Sequence, residues 1–197
     1  MYRIAEIIIV FLALVILIPL FLVIALAILL DSPGEVVFRQ TRVGRGNRDF
    51  VLYKFRSMNR NAGSGGLLTT GSSDRRVTST GSFLRKYKLD ELPQLFNILA
   101  GDMSIVGPRP EVRKYVDLYT PEQKRVLTVR PGLTDYASLE YINEGELLAN
   151  AKDPEALYVQ EIMPAKLALN LKYIDEKSPG KDLQIIMKTI GRIISSG

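Results

Sequence analysis

The sequence contains neither cysteine nor histidine, and these two absences exclude several kinds of chemistry. Without cysteine, the chain has no disulfide framework, no thiol nucleophile and no cysteine-based zinc or iron–sulfur site. Without histidine, it has no Ser-His-Asp triad, no imidazole base and no histidine-liganded metal. Any chemistry near neutral pH must therefore depend on carboxylates, on Lys and Arg side chains, or on a hard metal ion.

The usual nucleotide motifs are also absent. The chain has no P-loop, no complete Gly-x-Gly-x-x-Gly and no Asp-x-Asp, so any bound nucleotide is held in another way. What the chain does have is a basic excess, with 26 Lys and Arg against 21 Asp and Glu. A net charge of +5 suits an anionic membrane surface or an anionic substrate. Because no nucleic-acid motif accompanies it, we expect no nucleic-acid partner.

The most apolar part of the chain is an uncharged run of 24 residues from Ile7 to Leu30, broken only by Pro19. As an α-helix it would extend about 36 Å, enough for the hydrocarbon core of a bilayer. We therefore divide the chain into a membrane anchor, residues 1–30, and a catalytic domain, residues 31–197. Arg3 alone precedes the run, whereas seven cations follow between residues 39 and 60, so the positive-inside rule places the domain in the cytoplasm.

Pro19 predicts a kink in this helix, because proline removes one backbone hydrogen bond and clashes with the preceding turn. Two arrangements are compatible with such a kink. In the first, a kinked helix crosses the bilayer. In the second, a re-entrant helix bends at Pro19 and leaves by the face through which it entered. Proline occurs in many spanning helices, so the residues alone favour the first.

The domain after the anchor is predicted to be α+β and mostly helical, with one small β-hairpin. Val36–Phe38 and Phe50–Ser57 have strand patterns, and a glycine-containing basic turn separates them. On the second strand, Lys54 and Arg56 would project from one face. They could form a phosphate clamp, but the residues alone favour an ordinary solvated strand face. Residues 83–100 are predicted to be helical with an interruption at Pro93, so that a new helix starts near Asp90.

The C-terminal end has a second amphipathic pattern. Apolar residues recur at helical spacing on one face, opposite Lys188 and Arg192; they are Leu183, Ile186, Met187, Ile190, Ile193 and Ile194. Such a helix packs in a soluble core or lies in the membrane interface with its cations at the headgroups. A weaker stripe of Leu167, Leu171 and Ile174 allows the same two interpretations. The domain is therefore predicted to lie on the membrane.

Four motifs in the chain resemble those of a known family. They are Tyr53-Lys54-Phe55-Arg56-Ser57-Met58, Asp90-Glu91-Leu92-Pro93-Gln94, Gly107-Pro108-Arg109-Pro110 and Arg130-Pro131-Gly132-Leu133-Thr134. Together with the apolar N-terminus, they resemble the bacterial sugar transferases, the small monotopic polyprenyl-phosphate phosphoglycosyl transferases. The resemblance covers nearly the whole chain.

The resemblance implies transfer of a sugar 1-phosphate from a UDP-sugar to polyprenyl (undecaprenyl) phosphate, with release of UMP. This reaction opens the assembly of surface glycans at the cytoplasmic face of the bacterial inner membrane. The resemblance also implies Mg²⁺ and a re-entrant anchor, which reverses the preference for a spanning helix. The family usually has Ser before the proline, but this chain has Ile18, so the break would depend on Pro19 alone.

The same resemblance assigns the site residues. Asp90 is the expected nucleophile, and Glu91 is expected to help hold Mg²⁺ or to handle a proton. A carboxylate can attack the sugar-bearing phosphorus, and a hard cation bound by carboxylate and phosphate oxygens needs neither His nor Cys. The expected substrate-binding cations are Lys54, Arg56, Arg85, Arg109 and Arg130.

Some alternatives stay open. A non-catalytic membrane adaptor binding anionic lipids would tolerate Asp90→Asn. A two-carboxylate glycan hydrolase is disfavoured. Its carboxyl groups usually lie about 5–9.5 Å apart across a sugar, a separation that the adjacent residues Asp90 and Glu91 do not naturally provide. Single-displacement transfer within the family is also possible.

The identity of the transferred sugar is left open. After Thr134 many members of the family have Gly, whereas here Asp135 begins a different stretch. The sugar used by other members therefore cannot be assigned to this chain. The oligomeric state is left open as well.

Overall fold

The structure is a computed structural model that describes residues 3–59, 68 and 74–195. Helices predominate, and the strands form two small two-stranded sheets. The strands are β1 (Val37–Val43), β2 (Asp49–Phe55), β3 (Ser104–Val106) and β4 (Gly132–Thr134). The helices are α1 (Arg3–Asp31), α2 (Ser79–Lys86), α3 (Gln94–Ala100), α4 (Arg113–Val116), α5 (Tyr136–Glu140), α6 (Glu144–Ala149), α7 (Pro154–Leu157), α8 (Met163–Glu176) and α9 (Pro179–Ser195). The predicted mostly helical fold with a hairpin is confirmed.

The apolar N-terminal run forms α1, which continues as one helix through Pro19. In the described part of the chain it is the one helix long and apolar enough to cross a membrane. A narrow face of α1 packs on the rest of the protein: Val10 and Leu14 contact one core cluster, and Ile24 and Ile28 contact another. The other faces are exposed apolar side chains, which is typical of a helix surrounded by lipid.

Both ends of α1 are bonded to the same body. Near its start, buried Glu6 accepts hydrogen bonds from the Ile105 N–H at 2.6 Å and the Ser104 Oγ at 3.1 Å, and it pairs with Arg3 at 2.7 Å. At its end, Asp31 accepts the Thr80 N–H at 2.9 Å. The helix therefore lies along the body rather than extending away from it.

The hairpin is longer at β1 than the sequence predicted. β1 pairs with β2 in an antiparallel register that places Phe38 opposite Lys54 and Val43 opposite Asp49. The outer edge of β2 is bound by the fully buried side chain of Asn97, which accepts the Tyr53 N–H at 3.1 Å and donates to the Val51 carbonyl at 2.7 Å. This pairing attaches the strand that carries Lys54 to α3.

The second sheet brings two of the sequence motifs together. β3 and β4 are parallel, with Ser104 opposite Gly132 and Val106 opposite Thr134. At their ends Gly107 and Gly132 approach so closely that a Cβ on Gly132 would lie 2.1 Å from the Gly107 nitrogen. Only glycine fits such a backbone approach, and this explains why each motif contains one.

The two C-terminal helices have different environments. The weaker stripe on α8 packs in the core, with Leu167 buried and Leu171 and Ile174 against it, so its soluble-core interpretation is correct. On α9, the face toward the body contains Asp182, Ile185 and Thr189. Most of the apolar stripe faces outward, with Leu183, Met187, Ile190 and Ile194 exposed, whereas Ile186 packs against the core. The stripe is therefore not buried as a whole, and its interfacial role stays a prediction.

Candidate active site

The adjacent carboxylates Asp90 and Glu91 lie in a single 3-10 turn, Leu89–Glu91, between α2 and α3. Lys88 enters this turn in the left-handed conformation, with φ of 55°, and the backbone thereby reverses between the two helices. Pro93 then precedes α3, so the predicted interruption is confirmed, but α3 begins at Gln94 and not near Asp90 as predicted. Although both residues are charged, Asp90 and Glu91 are only 6% and 8% exposed.

Glu91 is held by two cations. One of its oxygens, Oε1, accepts Lys54 Nζ at 3.0 Å and also contacts the Arg109 guanidinium, and Oε2 accepts Arg109 Nη1 at 3.2 Å. Burial alone would raise the pKa of Glu91, but Arg109 and Lys54 outweigh it and hold that pKa well below its usual range. Glu91 is therefore ionised at neutral pH and joins β2 to the loop that carries Arg109.

Asp90 has a different environment, because no hydrogen-bond donor or ion-pair partner contacts its carboxylate among the described residues. Burial raises the pKa of Asp90, the charge of Glu91 adds to this effect, and Lys54 and Arg85 oppose it. The result is a buried carboxylate with free oxygens beside three cations. Such a group is well suited to act as a nucleophile or as a ligand of a hard cation.

Three of the five predicted cations gather at this pair. Lys54 comes from β2, and Arg109 follows β3. Arg85, near the end of α2, donates from Nε to the Ser57 hydroxyl at 2.9 Å and exerts an electrostatic effect on Asp90. Burial lowers the pKa of Lys54, because leaving water disfavours the charged amine.

The other two predicted cations have their contacts elsewhere. Arg56 is buried after β2 and donates to the carbonyls of Ser32 at 2.5 Å and Pro33 at 2.7 Å, at the end of α1. Arg130 donates from Nε to the Gly101 carbonyl at 2.9 Å, at the end of α3. Both are therefore placed to stabilise the C-terminal ends of helices, and neither is brought to the carboxylates in the described structure.

Two further residues contact the Arg109 loop and were not predicted as site residues. Asp135 accepts the backbone N–H of Arg109 at 3.1 Å. Arg42 donates to the Pro110 carbonyl at 3.2 Å and pairs with Glu111 at 2.9 Å. The signal available for Asp135 was the departure from the family motif after Thr134, whereas nothing in the sequence distinguished Arg42 from the other basic residues near the hairpin turn.

The donor set for a metal ion is small. Among residues 3–59, 68 and 74–195, no three acidic side chains form a cluster that could hold a metal. Of the two expected ligands, Asp90 has free oxygens, whereas both Glu91 oxygens accept from cations. Mg²⁺ is usually bound by one or two carboxylates together with substrate phosphates and water, so the residues present fit it in that mode only.

The chain matches known proteins over almost its full length. The family model described as bacterial sugar transferase matches residues 1–196. A UDP-N-acetylgalactosamine-undecaprenyl-phosphate N-acetylgalactosaminephosphotransferase of Aeromonas hydrophila is 41% identical over 90% of this chain and 40% of its own length. A UDP-glucose:undecaprenyl-phosphate glucose-1-phosphate transferase of Caulobacter vibrioides is 37% identical over 90% of this chain and 64% of its own length.

A smaller relative extends the comparison to nearly complete coverage of both proteins. The exopolysaccharide production protein PSS of Rhizobium leguminosarum is 37% identical over 94% of this chain and 90% of its own length. The chain thus spans only part of the first two relatives but nearly all of the third. With the family model matched from residue 1 to residue 196 and the carboxylate pair surrounded by cations, the chain belongs to the bacterial sugar transferase family.

Proposed function

We propose that this chain transfers a sugar 1-phosphate from a UDP-sugar to polyprenyl phosphate, with release of UMP, in two steps through Asp90. The observation that carries this proposal is the buried carboxylate of Asp90, which is unpaired among the described residues, feels the charges of Lys54 and Arg85, and adjoins Glu91, the partner of Arg109. The relatives from Aeromonas hydrophila and Caulobacter vibrioides act on UDP-sugars and undecaprenyl phosphate according to their names, which supports the same substrate classes here.

In the first step, an Asp90 oxygen attacks the sugar-bearing phosphorus of the UDP-sugar. A phosphorus–oxygen bond forms to Asp90, and the bond between that phosphorus and the bridging oxygen breaks, so that UMP leaves with the electron pair. In the second step, an oxygen of polyprenyl phosphate attacks the same phosphorus. The bond to Asp90 breaks, its carboxylate is regenerated, and the product is a polyprenyl diphosphate sugar. Because the acceptor phosphate is already anionic, the second step needs no strong base.

The cations have a clear task in this reaction. A diphosphate approaching a carboxylate is repelled, and charge grows on the departing UMP. Arg109, whose planar guanidinium suits bidentate phosphate recognition, and Lys54 and Arg85 offset both effects. Glu91 holds Arg109 and Lys54 in place before substrate arrives, so we propose that it organises the phosphate-binding cations. We assign Arg56 and Arg130 to anchoring the ends of α1 and α3.

We propose Mg²⁺ as the cofactor. Asp90 would hold it together with the substrate phosphates, and Glu91 is the second candidate ligand. When bound, it would neutralise phosphate charge in the ground state and on the leaving UMP.

We further propose that α1 is re-entrant and that α9 lies in the interface, on the cytoplasmic face of the bacterial inner membrane. If α1 crossed the bilayer, its two ends would lie on opposite sides, yet Glu6 and Asp31 are both bonded to the same body. The exposed stripe of α9 supplies a second apolar surface. These two surfaces would keep Asp90 beside the membrane that contains the lipid acceptor.

The reaction is tested by measuring UMP release. The purified protein is incubated with Mg²⁺, undecaprenyl phosphate and a panel of UDP-sugars that includes UDP-glucose and UDP-N-acetylgalactosamine. We expect release with at least one sugar and none from Asp90→Asn, with Asp175→Asn, a substitution at an exposed residue, as the control. Absence of UMP with every sugar, while the protein still binds anionic vesicles, would favour the membrane adaptor and refute the proposal.

The covalent step has its own test. Without polyprenyl phosphate, a UDP-sugar radiolabelled on the sugar should label the wild-type protein at Asp90 and release one equivalent of UMP. A turnover that occurs only when both substrates are bound, with no labelled protein, would refute the two-step route while leaving the overall reaction intact.

The membrane arrangement is tested by cysteine labelling, which the natural absence of cysteine makes simple. Single cysteines are introduced by Tyr2→Cys and Glu35→Cys, and inside-out and right-side-out vesicles are treated with a membrane-impermeant maleimide. A re-entrant helix predicts that both positions react in inside-out vesicles only. Reaction of the two positions from opposite sides would show a spanning helix.

A further inference from the structure

The loop that carries Arg109 has very few backbone hydrogen-bond donors. Pro108 and Pro110 have no N–H, so Arg109 supplies the only backbone donor between Gly107 and Glu111. Proline stiffens the backbone on both sides of the arginine, but it does not fix how the loop is oriented toward the carboxylate pair. That orientation must come from bonds to neighbouring segments.

These bonds run to β4 and the residue after it. The Gly107 N–H donates to the Thr134 carbonyl at 3.1 Å, and the Gly132 N–H donates to the Pro108 carbonyl at 2.9 Å. Asp135 then continues the ladder with its side chain, since its Oδ2 accepts the Arg109 N–H at 3.1 Å. The parallel pairing of β3 and β4 is thereby extended to the arginine itself.

Asp135 is placed to do this because it is itself rigidly held. It is fully buried, at 0% exposure. Its second oxygen, Oδ1, accepts the Ser138 N–H at 2.7 Å and thereby caps the start of α5. A carboxylate that accepts two backbone N–H groups from separate segments fixes those segments relative to each other. Ser, Thr and Asn side chains each have only one oxygen and could not accept both N–H groups in the same way.

Asp135 also contributes to the charge around Arg109. The pKa of Arg109 is raised chiefly by Glu91, with Asp135 and Asp90 adding to the effect against the cost of burial. Negative charge from different directions thus keeps the guanidinium ionised. Glu91 contacts the side chain, and Asp135 contacts the backbone of the same residue.

We propose that Asp135 is the positioning residue of Arg109: it connects α5 to the phosphate-binding loop and fixes the direction from which the guanidinium meets the diphosphate. This inference rests on the proposed function for the role of Arg109 in substrate binding. The contact itself does not depend on that function, and it can be tested separately.

The first test is amide hydrogen exchange, which reports the bond without any substrate. In a peptide covering Pro108 to Pro110, the Arg109 amide is the only backbone N–H, so its exchange can be assigned to one hydrogen bond. We expect exchange at Arg109 to accelerate at least tenfold in Asp135→Ala, because this variant removes both acceptor oxygens. Unchanged exchange at Arg109 in this variant would refute the contact.

Two variants separate the bond to Arg109 from the cap of α5. Asp135→Ser keeps a hydroxyl that can cap the helix but is too short to serve both segments. Asp153→Ala removes an equivalent N-cap on α7, where Asp153 accepts the Ala156 N–H at 3.0 Å. We expect faster exchange at Arg109 in Asp135→Ser and no change there in Asp153→Ala. Equal acceleration in both would show a general loss of stability and refute the assignment.

The second test is kinetic and uses a double-mutant cycle. We expect Asp135→Asn to lower kcat/KM for the UDP-sugar about tenfold, mainly through a higher KM. In an Arg109→Ala background the same substitution should cost less than about twofold, because the residue that it positions is gone. The same fold loss in both backgrounds would show a purely structural role and overturn the proposal. If the wild type releases no UMP, the proposed function fails while the exchange result stands.

Discussion

Replacing Glu91 by Gln removes the carboxylate that forms ion pairs with both Lys54 and Arg109. The side chain of Glu91 is 10% exposed, and those of Lys54 and Arg109 are 20% and 34% exposed. Breaking a buried ion pair by removing one partner costs about 3–5 kcal/mol, because the remaining charge stays buried without compensation. Since water reaches a third of the Arg109 side chain, we expect the lower end of this range, about 3 kcal/mol.

The measurable consequence is a lower Tm. For a chain of this size, 1 kcal/mol corresponds to about 2–4 °C, so Glu91→Gln should lower Tm by about 6–12 °C. The chain contains no tryptophan, so unfolding is followed by circular dichroism at 222 nm in detergent micelles. The matched control is Glu155→Gln, which removes the pair with Lys114, where the side chains are 44% and 57% exposed. An exposed pair contributes at most about 1 kcal/mol.

The reasoning would be refuted if both variants shifted Tm by the same amount. A pH series adds a second criterion. The pKa of Glu91 is lowered in the folded protein, so its contribution to stability is present above the ordinary glutamate pKa of about 4.3 and is lost as the pH falls toward the lowered value. The difference in Tm between wild type and Glu91→Gln should therefore be constant from about pH 5 upward and shrink below about pH 4.3.

Three further predictions concern other parts of the chain. Asp90→Asn should abolish UMP release yet raise Tm at pH 7, because the raised pKa of Asp90 shows that its ionised form is disfavoured in the folded protein; a lower Tm would contradict this. Gly132→Ala should lower the yield of folded protein sharply, since its Cβ would lie 2.1 Å from backbone, whereas Gly191→Ala, with open space, should be neutral or stabilising by up to about 1 kcal/mol; comparable losses would refute the steric argument. Fluorophores attached to Ile190→Cys and Gln184→Cys in reconstituted vesicles should differ in quenching by lipid-borne quenchers, with the label at Ile190→Cys quenched more strongly; equal quenching would show that the α9 stripe does not contact lipid.

Local pattern predicted several elements because each has a nearly self-sufficient cause. The run from Ile7 to Leu30 is helical because its length and composition leave few other ways to satisfy backbone hydrogen bonds in an apolar environment. The interruption at Pro93 follows from the missing N–H of proline. The resemblance carried by the Asp90 and Arg109 motifs predicted a shared site, and the structure places Glu91, next to Asp90, in contact with Arg109.

Other features depend on contacts between distant segments. The stripe of α9 has the same periodicity whether it is buried or exposed. Which face of α9 turns inward is decided by the residues against which it packs: Asp182 bonds to Tyr173, Ile185 packs with Val106, and Thr189 bonds to Thr134. A hydrophobic period reports that a face is apolar, but it does not report what covers that face.

The same distinction applies to the site. From the sequence, Lys54 and Arg56 were equivalent cations two positions apart, and Glu91 was a candidate metal ligand beside Asp90. In the folded protein Lys54 pairs with Glu91, whereas Arg56 binds the end of α1. The sequence by itself excluded chemistry that needs His or Cys, and its motifs placed the chain in a family and singled out a carboxylate pair and several cations as candidates. The tertiary structure decided which carboxylate stays unpaired among the described residues, because ion pairing depends on side-chain positions that segments far apart in the chain supply.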